Sequence, residues 1–169
     1  MTAHYFTRKV GKIMCYQKPS LENVLKQHNV FLESLENSEK EHYLISLDNY
    51  LKRKEHYIYF GNVEEGDLCY FDFGNAYDKE IGYQHLALVL SCCGDKVYVV
   101  PMVSYHEGKV IINETKELLY PNEENRLKHI TLLFLNDSKW VTKNRIIQKV
   151  GKEDSKKINK LKLKIKALI

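Results

Sequence analysis

The spacing of apolar residues changes once along this chain, and that change limits the folds it can adopt. From Ser20 to about Glu55, apolar residues recur every three or four positions, as on one face of a helix. After Gly61, short apolar and aromatic runs are separated by turn residues, which is the pattern of strands. A helical pattern returns only near the C-terminus, so the strands follow one another without intervening helices. This order excludes alternating βαβ folds and favours an antiparallel sheet or a partly open barrel.

Two helices are predicted before the strands. Ser20 offers an N-cap for a first helix of about four turns. Its apolar face comprises Leu21, Val24, Leu25, His28, Phe31, Leu32 and Leu35. Ser38 and Glu41 have the spacing of a capping box, so we expect a second helix from about Glu39 to Glu55. The side chains that this helix is expected to bury are Leu44, Leu47 and Leu51, with help from Tyr43 and Tyr50. Together the two predict a helical hairpin.

Strand-like segments fill most of the remaining chain. They are Leu68–Phe73, Leu86–Cys93, Lys96–Ser104, Lys109–Asn113, Ile130–Leu135 and Arg145–Val150. Gly94-Asp95 predicts a tight hairpin between the second and third segments. The polar stretch from Glu114 to Lys128 is expected to be an irregular or briefly helical crossover. A final amphipathic helix is indicated by Ile158, Leu161, Ile165 and Leu168.

Positive charge is concentrated at the C-terminal end. The formal net charge is +4 at pH 7, but Ser138 to Ile169 holds eleven basic residues and two acidic ones, so the rest of the chain is net acidic. Such a division indicates an end that binds a polyanion or meets an acidic partner. The alternative is a lysine-rich helix that is simply solvated.

Several classes of protein are excluded by composition. The longest apolar runs, such as Leu86 to Leu90, are far shorter than the roughly 20 residues of a membrane helix. The segment Met1 to Lys12 lacks the continuous apolar stretch of a secretory signal, so we expect a cytoplasmic protein. Cys15, Cys69, Cys92 and Cys93 show no CxxC spacing, and no metal site or cofactor is expected. The adjacent pair Cys92 and Cys93 is expected to be partly buried in a reducing compartment.

Two blocks of the strand-rich region carry a family resemblance. The first runs from Gly66-Asp67-Leu68-Cys69-Tyr70-Phe71-Asp72-Phe73 through Gly82 and the apolar strand ending in Ser91 to Val99-Val100-Pro101, and the second is Leu133 to Ile146. Both resemble the MazF/PemK toxin family of type II toxin–antitoxin endoribonucleases. The resemblance covers Glu65 to Ile169, about three-fifths of the chain. It divides the sequence into an N-terminal extension, residues 1–60, and a toxin-like domain, residues 61–169.

An α+β fold is implied by this resemblance: a small antiparallel barrel of the SH3-like, CcdB/MazF type with a C-terminal helix, here preceded by the helical hairpin. The resemblance also implies a homodimer, a cognate antitoxin, and metal-independent cleavage of single-stranded RNA such as mRNA. In that chemistry the ribose 2′-hydroxyl attacks the adjacent phosphate, leaving a cyclic phosphate and a free 5′-hydroxyl. The reaction needs a base, groups that stabilise developing negative charge, and an acid for the leaving oxygen.

Several positions that match the family's catalytic residues carry other side chains here. Gln84 stands where the family has its catalytic Arg, and His85 replaces the Pro that follows. Lys79 stands at an acidic position of the loop. Val103 replaces a Thr or Ser, with Ser104 adjacent. A glutamine cannot supply the cationic fork of an arginine, so activity requires a redistributed set of groups.

The redistributed catalytic set that we expect is His85, Gln84, Ser104 and Lys79. An imidazole titrates near about pH 6.5, so His85 can act as acid or base. Lys79 and Arg145 can supply positive charge, and Gln84 and Ser104 can donate hydrogen bonds to phosphate oxygens. The alternative is that His85 caps its strand and bonds a backbone carbonyl.

RNA-binding residues are expected on both sides of this set. Tyr77, Tyr83 and Tyr105 can stack bases, at roughly 1–3 kcal/mol per base. Asn136, Lys139, Lys143 and Arg145 can hold phosphates. Ordinary packing of the aromatic rings and solvation of single lysines are the alternatives.

Other functions remain open at this level. The chain can be a catalytically inactive member of the fold that binds nucleic acid or a protein target, as in a related barrel toxin family that poisons DNA gyrase. A purely structural domain explains the fold but not the paired sequence blocks. The helical hairpin can be a structural layer, an extension of the dimer interface, or a lid over the RNA groove.

Overall fold

A computed structural model describes residues 8–9, 12–13, 18–54, 62–77, 79–108 and 112–168. The chain divides into two compact units, Met1–Lys40 and Glu41–Ile169. The division therefore falls twenty residues before the boundary at residue 60 that the sequence resemblance suggests. Within the described ranges, no helix combines the length and the apolar character needed to cross a bilayer.

The first unit contains a small ribbon and a helix. Strand β1 (Arg8–Lys9) pairs antiparallel with β2 (Lys12–Ile13), and helix α1 spans Leu21–Ser34. Ser20 caps this helix as predicted, because its Oγ accepts a hydrogen bond of 3.2 Å from the backbone N–H of Asn23. The apolar face predicted for α1 is present in the sequence, but no side chain of this helix is buried.

Helix α2 spans Asn37–Arg53. It begins two residues before the predicted start, so Ser38 lies in its first turn rather than ahead of it. The predicted buried face is wrong: Leu44 and Leu51 are 48% and 66% exposed, and Leu47 is half-buried. Of the side chains expected to assist, Tyr43 is buried but Tyr50 is exposed.

The buried face of α2 includes a polar residue, Ser46. Ser46 contacts a buried carboxylate of the sheet, Asp72, with its Oγ donating a hydrogen bond of 2.6 Å. A buried carboxylate needs hydrogen-bond donors rather than methyl groups around it. The helix therefore presents its donors to the sheet, and its leucines, which a hydrophobicity pattern selects, remain outside.

Seven antiparallel strands form the sheet of the second unit. They are β3 (Asp67–Asp72), β4 (Gln84–Cys93), β5 (Lys96–Ser104), β6 (Lys116–Leu119), β7 (Thr131–Phe134), β8 (Lys139–Thr142) and β9 (Ile146–Lys152). The order across the sheet is β6-β7-β5-β4-β3-β9, and β8 pairs with the first half of β5, from Lys96 to Val99. Helix α3 (Ser155–Leu168) follows. The predicted α+β class with an antiparallel sheet and a C-terminal helix is confirmed.

Most strands lie where the sequence predicts them. Gly94-Asp95 forms the expected tight turn, with Cys93 paired to Lys96 and Gly94 at φ +57°. Two strands of the seven-stranded sheet were not predicted: β6 lies within the stretch expected to be irregular, and β8 lies in the second resemblance block. Each has four residues, too few to show an alternating pattern. Of the predicted strand 109–113, residues 109–111 lie outside the described residues, and the rest is not strand.

Two apolar clusters pack on opposite faces of the sheet, because successive residues of a strand point in opposite directions. The first contains Leu88, Val100 and Leu133 and is covered by Ile158, Leu161 and Ile165 of α3, as predicted. The second contains Cys69, Phe71, Ala87, Val99 and Ile146. These clusters fix the strand register, and the register determines which polar side chains meet at the end of the sheet.

Candidate active site

The ends of four strands meet at one edge of the sheet. Strand β4 begins at Gln84 and β5 ends at Ser104, and their register, continued by two residues, places these two opposite each other. Asp72 at the end of β3 pairs with Gln84, and Thr131 at the start of β7 pairs with Ser104. The sheet therefore brings together residues that are up to 59 positions apart in the sequence.

A cleft of about 610 Å³ opens at this edge. Three predicted catalytic residues, Gln84, His85 and Ser104, line it. Polar residues that the sequence analysis did not select also line it: Tyr70, Arg126, Lys128, His129, Thr131 and Gln148. The sequence marks Arg126, Lys128 and His129 only by their spacing, because these three basic side chains lie within four residues.

His85 is half-buried in this cleft. Burial lowers its pKa below the ordinary value of 6.5, and the nearby imidazole of His42 lowers the pKa further. At neutral pH the ring is therefore mostly uncharged, which is the form that accepts a proton.

The side chain of Gln84 is held between a helix and the sheet. Its Nε2 donates to Oδ2 of Asp72 at 3.1 Å, and its Oε1 lies 3.3 Å from Nδ1 of His42. The amide that the sequence analysis assigns to phosphate binding thus has a hydrogen-bond partner within the protein.

Asp72 is the centre of this polar network. It is 6% exposed and accepts hydrogen bonds from Ser46 Oγ, Asn49 Nδ2, Gln84 Nε2 and the backbone N–H of Gly74, at 2.6, 2.8, 3.1 and 3.0 Å. Burial alone would raise the pKa of Asp72, but the hydrogen bonds outweigh it and hold the pKa below its ordinary value of 3.8. The carboxylate is therefore charged at neutral pH and orders the groups around it.

A polar stripe on α2 contacts this edge. His42, Ser46, Asn49 and Arg53 lie at positions i, i+4, i+7 and i+11, so they share one face of the helix. Arg53 Nη1 donates to the carbonyl of Ile146 at 2.6 Å. These polar residues were not predicted, because the apolar spacing of the helix selects a different face.

Arg145 lines a second cleft, of about 520 Å³, together with Asn49, Arg53 and Asn144. Its Nη1 donates to the backbone carbonyl of Asp72 at 2.8 Å. Arg145 does not line the cleft that contains His85.

The other predicted site residues lie outside the lining of the His85 cleft. Lys79 and Tyr77, which is 86% exposed, lie in the loop between β3 and β4. Tyr83, at the end of that loop, stacks on His42 with ring centroids 6.3 Å apart. Tyr105 follows β5, and its backbone N–H donates to Ile130.

The predicted phosphate-binding residues of the second block are also dispersed. The ammonium of Lys139 lies 5.2 Å from the ring centroid of Phe73, and the amide of Asn136 donates to Asp137. The backbone N–H of Lys143 donates to Asp95. None of these three side chains lines either of the two clefts.

Much of the C-terminal positive charge is paired within the chain. Glu117 contacts the ammonium groups of Lys157, Lys160 and Lys164. The remaining pairs of the block are Lys149–Asp67, Lys152–Glu64 and Lys162–Glu65. Six of the eleven basic residues of the block therefore pair with acidic side chains among the described residues, so the uneven charge of the sequence is weaker in the folded chain.

No group of three or more His, Cys, Asp or Glu side chains in the described part of the chain is placed to hold a metal ion. Cys92 and Cys93 are exposed rather than partly buried, because they lie at the turn end of β4 beyond the core. Cys69 is buried, and Cys15 lies outside the described residues.

Comparison with known proteins gives structural neighbours alone. No family model and no curated protein sequence matches the chain. It is similar to a solved endoribonuclease in complex with its cognate antitoxin from a mycobacterial species, with 13% identity, a TM-score of 0.47, and coverage of 63% of this chain and 93% of that one. It is also similar to the Mycobacterium tuberculosis toxin MazF-mt6, with 10% identity, a TM-score of 0.44, and coverage of 60% and 93%. The latter is a MazF toxin, the family that the two sequence blocks resemble.

Proposed function

We propose that this chain is a toxin-like endoribonuclease that cleaves single-stranded RNA, with mRNA as its target, by metal-independent attack of the ribose 2′-hydroxyl on the adjacent phosphate. The observation that carries the proposal is the position of His85: a half-buried imidazole with a lowered pKa, at a solvent-accessible cleft that Gln84 and Ser104 also line. A site for this reaction needs no protein nucleophile, because RNA supplies its own.

In the proposed reaction, His85 accepts the proton of the 2′-hydroxyl. The 2′-oxygen forms a bond to phosphorus, and the bond from phosphorus to the 5′-oxygen breaks with its electron pair leaving on that oxygen. A proton is delivered to the 5′-oxygen. The products are a 2′,3′-cyclic phosphate and a free 5′-hydroxyl. Ser104, which is exposed at the cleft, is suited to donate a hydrogen bond to a phosphate oxygen.

Gln84 has a different role in this proposal from direct phosphate contact. Its hydrogen bonds to Asp72 and His42 join the start of β4 to α2, so the residue positions the backbone that carries His85. Lys79 and the aromatic residues Tyr77, Tyr83 and Tyr105 are proposed to guide the RNA strand toward the cleft, and Asn136, Lys139, Lys143 and Arg145 to hold it farther along.

The partners that we propose are those of a toxin: a second copy of the chain and a cognate antitoxin. Part of the helical hairpin contacts the sheet, since α2 from Glu41 onward is hydrogen-bonded to it through Ser46 and Asn49. These bonds support a structural layer. Light scattering of the purified chain tests the dimer.

Cleavage is tested by incubating the purified chain with a long single-stranded RNA in the presence of a chelator and mapping the ends. We expect cyclic phosphate ends from the wild type and at least a 100-fold slower reaction from His85→Ala. His106→Ala is the matched control, because His106 is an exposed histidine that does not line the cleft. Cleavage by His85→Ala at the control's rate refutes the assignment, and tight binding of RNA without cuts favours the catalytically inactive alternative.

A further inference from the structure

The cleft that contains His85 has a second wall whose cationic side chains form no ion pair with the described part of the chain. This wall is the turn before β7, and it contributes Arg126, Lys128 and His129. All three side chains are exposed. Neither Arg126 nor Lys128 forms an ion pair with any residue that the structure describes, whereas one glutamate, Glu117, contacts three lysines of α3.

Acidic side chains are absent from the described lining of this cleft. The wall opposite the basic turn supplies neutral polar groups, among them Gln84 and Ser104. A guanidinium and an ammonium that face a cleft without carboxylates attract an anion, and the two can share the oxygens of one phosphodiester. Four of the six lysines of α3 pair with Glu117 or Glu65, so they are less available to an anion.

The turn is fixed to the rest of the fold by a buried asparagine. Asn125 is fully buried, and its Nδ2 donates to the carbonyl of Tyr120 and to Oε2 of Glu153, both at 2.9 Å. Its Oδ1 accepts from the backbone N–H of Leu127 at 3.1 Å. The backbone N–H of Lys152 in β9 also donates a hydrogen bond of 3.0 Å to the carbonyl of Glu124. The basic side chains therefore extend from a rigid support.

Close packing against Gly151 of β9 also fixes this turn. A Cβ built at Gly151 would overlap the backbone oxygen of Asn125, so only a glycine admits the turn at this distance. Arg126, directly after Asn125, has φ +56°, a left-handed conformation that is unfavourable for a residue with a side chain. The fold therefore keeps Arg126 in this unfavourable backbone conformation, and the guanidinium of Arg126 lines the cleft.

We propose that Arg126, Lys128 and His129 form the binding site for the scissile phosphodiester of single-stranded RNA, with Arg126 and Lys128 bound to its non-bridging oxygens and His129 donating the proton to the leaving 5′-oxygen. The proposal rests on the nuclease function proposed above and completes its proton balance. One proton passes from the 2′-hydroxyl to His85 while another passes from His129 to the 5′-oxygen, as the 2′-oxygen–phosphorus bond forms and the phosphorus–5′-oxygen bond breaks. Gln84 carries no charge, so the positive charge that stabilises the phosphorane comes from this turn.

Phosphate binding is tested without cleavage, by fluorescence anisotropy of a labelled 2′-O-methyl RNA of mixed sequence. We expect Arg126→Ala/Lys128→Ala to weaken binding at least 10-fold and to reduce the slope of log affinity against log salt by about 0.7, the value for one phosphate contact on a single strand. Lys156→Ala/Lys166→Ala is the matched control, because it removes two exposed lysines of α3, and it should weaken binding less than about 2-fold. Equal effects of the two double variants, with circular dichroism showing both folded, overturn the binding site.

Proton donation is tested with a substrate whose leaving oxygen is replaced by sulfur. A 5′-thiolate leaves without protonation. The His129→Ala variant should therefore cleave normal RNA at least about 100-fold more slowly than the wild type, but cleave the 5′-phosphorothiolate at close to the wild-type rate. Equal slowing on both substrates overturns the donor assignment.

The two proposals fail separately. Absence of cleavage by the wild type overturns the nuclease function and with it the role of His129, while the phosphate site is still judged by binding of the 2′-O-methyl RNA. If the wild type cleaves RNA and Arg126→Ala/Lys128→Ala cleaves it at the same rate, the phosphate site is overturned. The nuclease function is not affected by that result.

Discussion

Replacing Asp72 by alanine is expected to destabilise the second unit far more than replacing an exposed aspartate. The carboxylate accepts four hydrogen bonds, and one of its donors, Ser46, is itself only 4% exposed. Without the carboxylate, the Ser46 hydroxyl is left buried without its acceptor, while Asn49 and Gln84 are half-buried and can reach water. The hydroxyl left without its acceptor costs about 1–3 kcal/mol and the lost charge-assisted bonds a further 1.5–3 kcal/mol, so we expect roughly 2.5–6 kcal/mol in all.

Urea denaturation followed by circular dichroism measures this loss. With a slope of about 2 kcal/mol/M, a loss of about 3 kcal/mol moves the midpoint by roughly 1.5 M. Asp48→Ala is the matched control, because Asp48 is exposed and pairs with Lys52 one helical turn away, an interaction of about 0.3–0.5 kcal/mol. A loss for Asp72→Ala that equals the control's refutes the reasoning.

Acid sensitivity provides a second measurement of the same network. The pKa of Asp72 is lowered in the folded chain, so its contribution to stability is fully present above the unfolded value of about 3.9 and is lost as the pH falls through the folded value. Asp72→Asn keeps one acceptor oxygen but cannot titrate. This variant should therefore lose less stability than the wild type between pH 5 and the acid transition, and parallel acid curves for the two proteins would contradict the assignment.

Three further outcomes follow from single contacts. Gly151→Ala places a methyl group against the backbone of Asn125 and should cost about 2–3 kcal/mol and lower RNA binding, whereas Gly108→Ala, at φ +78° in open space, should cost about 1 kcal/mol and leave binding unchanged; equal losses by urea denaturation would contradict this. Glu117→Gln removes the negative charge that faces three lysines and should cost about 1–2 kcal/mol at low salt and less in 1 M salt, and a salt-independent loss argues against an electrostatic origin. Because the pKa of His85 lies below its ordinary value of 6.5, the acidic limb of the pH–rate profile should be centred below about pH 6.5, and an acidic limb centred above pH 7 excludes His85 as the base.

Some elements follow from the residue pattern because their signals are local. The turn at Gly94-Asp95 and the cap at Ser20 depend on residues in contact with their immediate neighbours, and both are found. The apolar face of α3 is equally local, since Ile158, Leu161 and Ile165 repeat at the helical period and are buried. Strands β6 and β8 are too short to produce a period, so they escape the same reasoning.

The candidate site is predictable only in part, for a related reason. Gln84, His85 and Ser104 could be selected because they stand at or beside the positions of a sequence resemblance, and the sheet does place them along one cleft. The basic turn that faces them belongs to a polar stretch with no period and no motif. Its position depends on a buried hydrogen bond between Asn125 and Glu153, 28 residues apart.

Apart from the short strands, the order of the helices and strands, the α+β class and the C-terminal helix were determined by the sequence alone, because period, turn chemistry and capping act over a few residues. The tertiary structure decided which face of α2 is buried: Asp72 at the end of a strand requires donors, and Ser46 and Asn49 provide them where a hydrophobic pattern points to leucines. It also decided where positive charge remains available, since Glu117 contacts three lysines of the most basic segment, while Arg126 and Lys128 face a cleft whose described lining holds no acidic side chain. Charge and burial depend on distances between residues remote in the chain, and only the folded chain sets those distances.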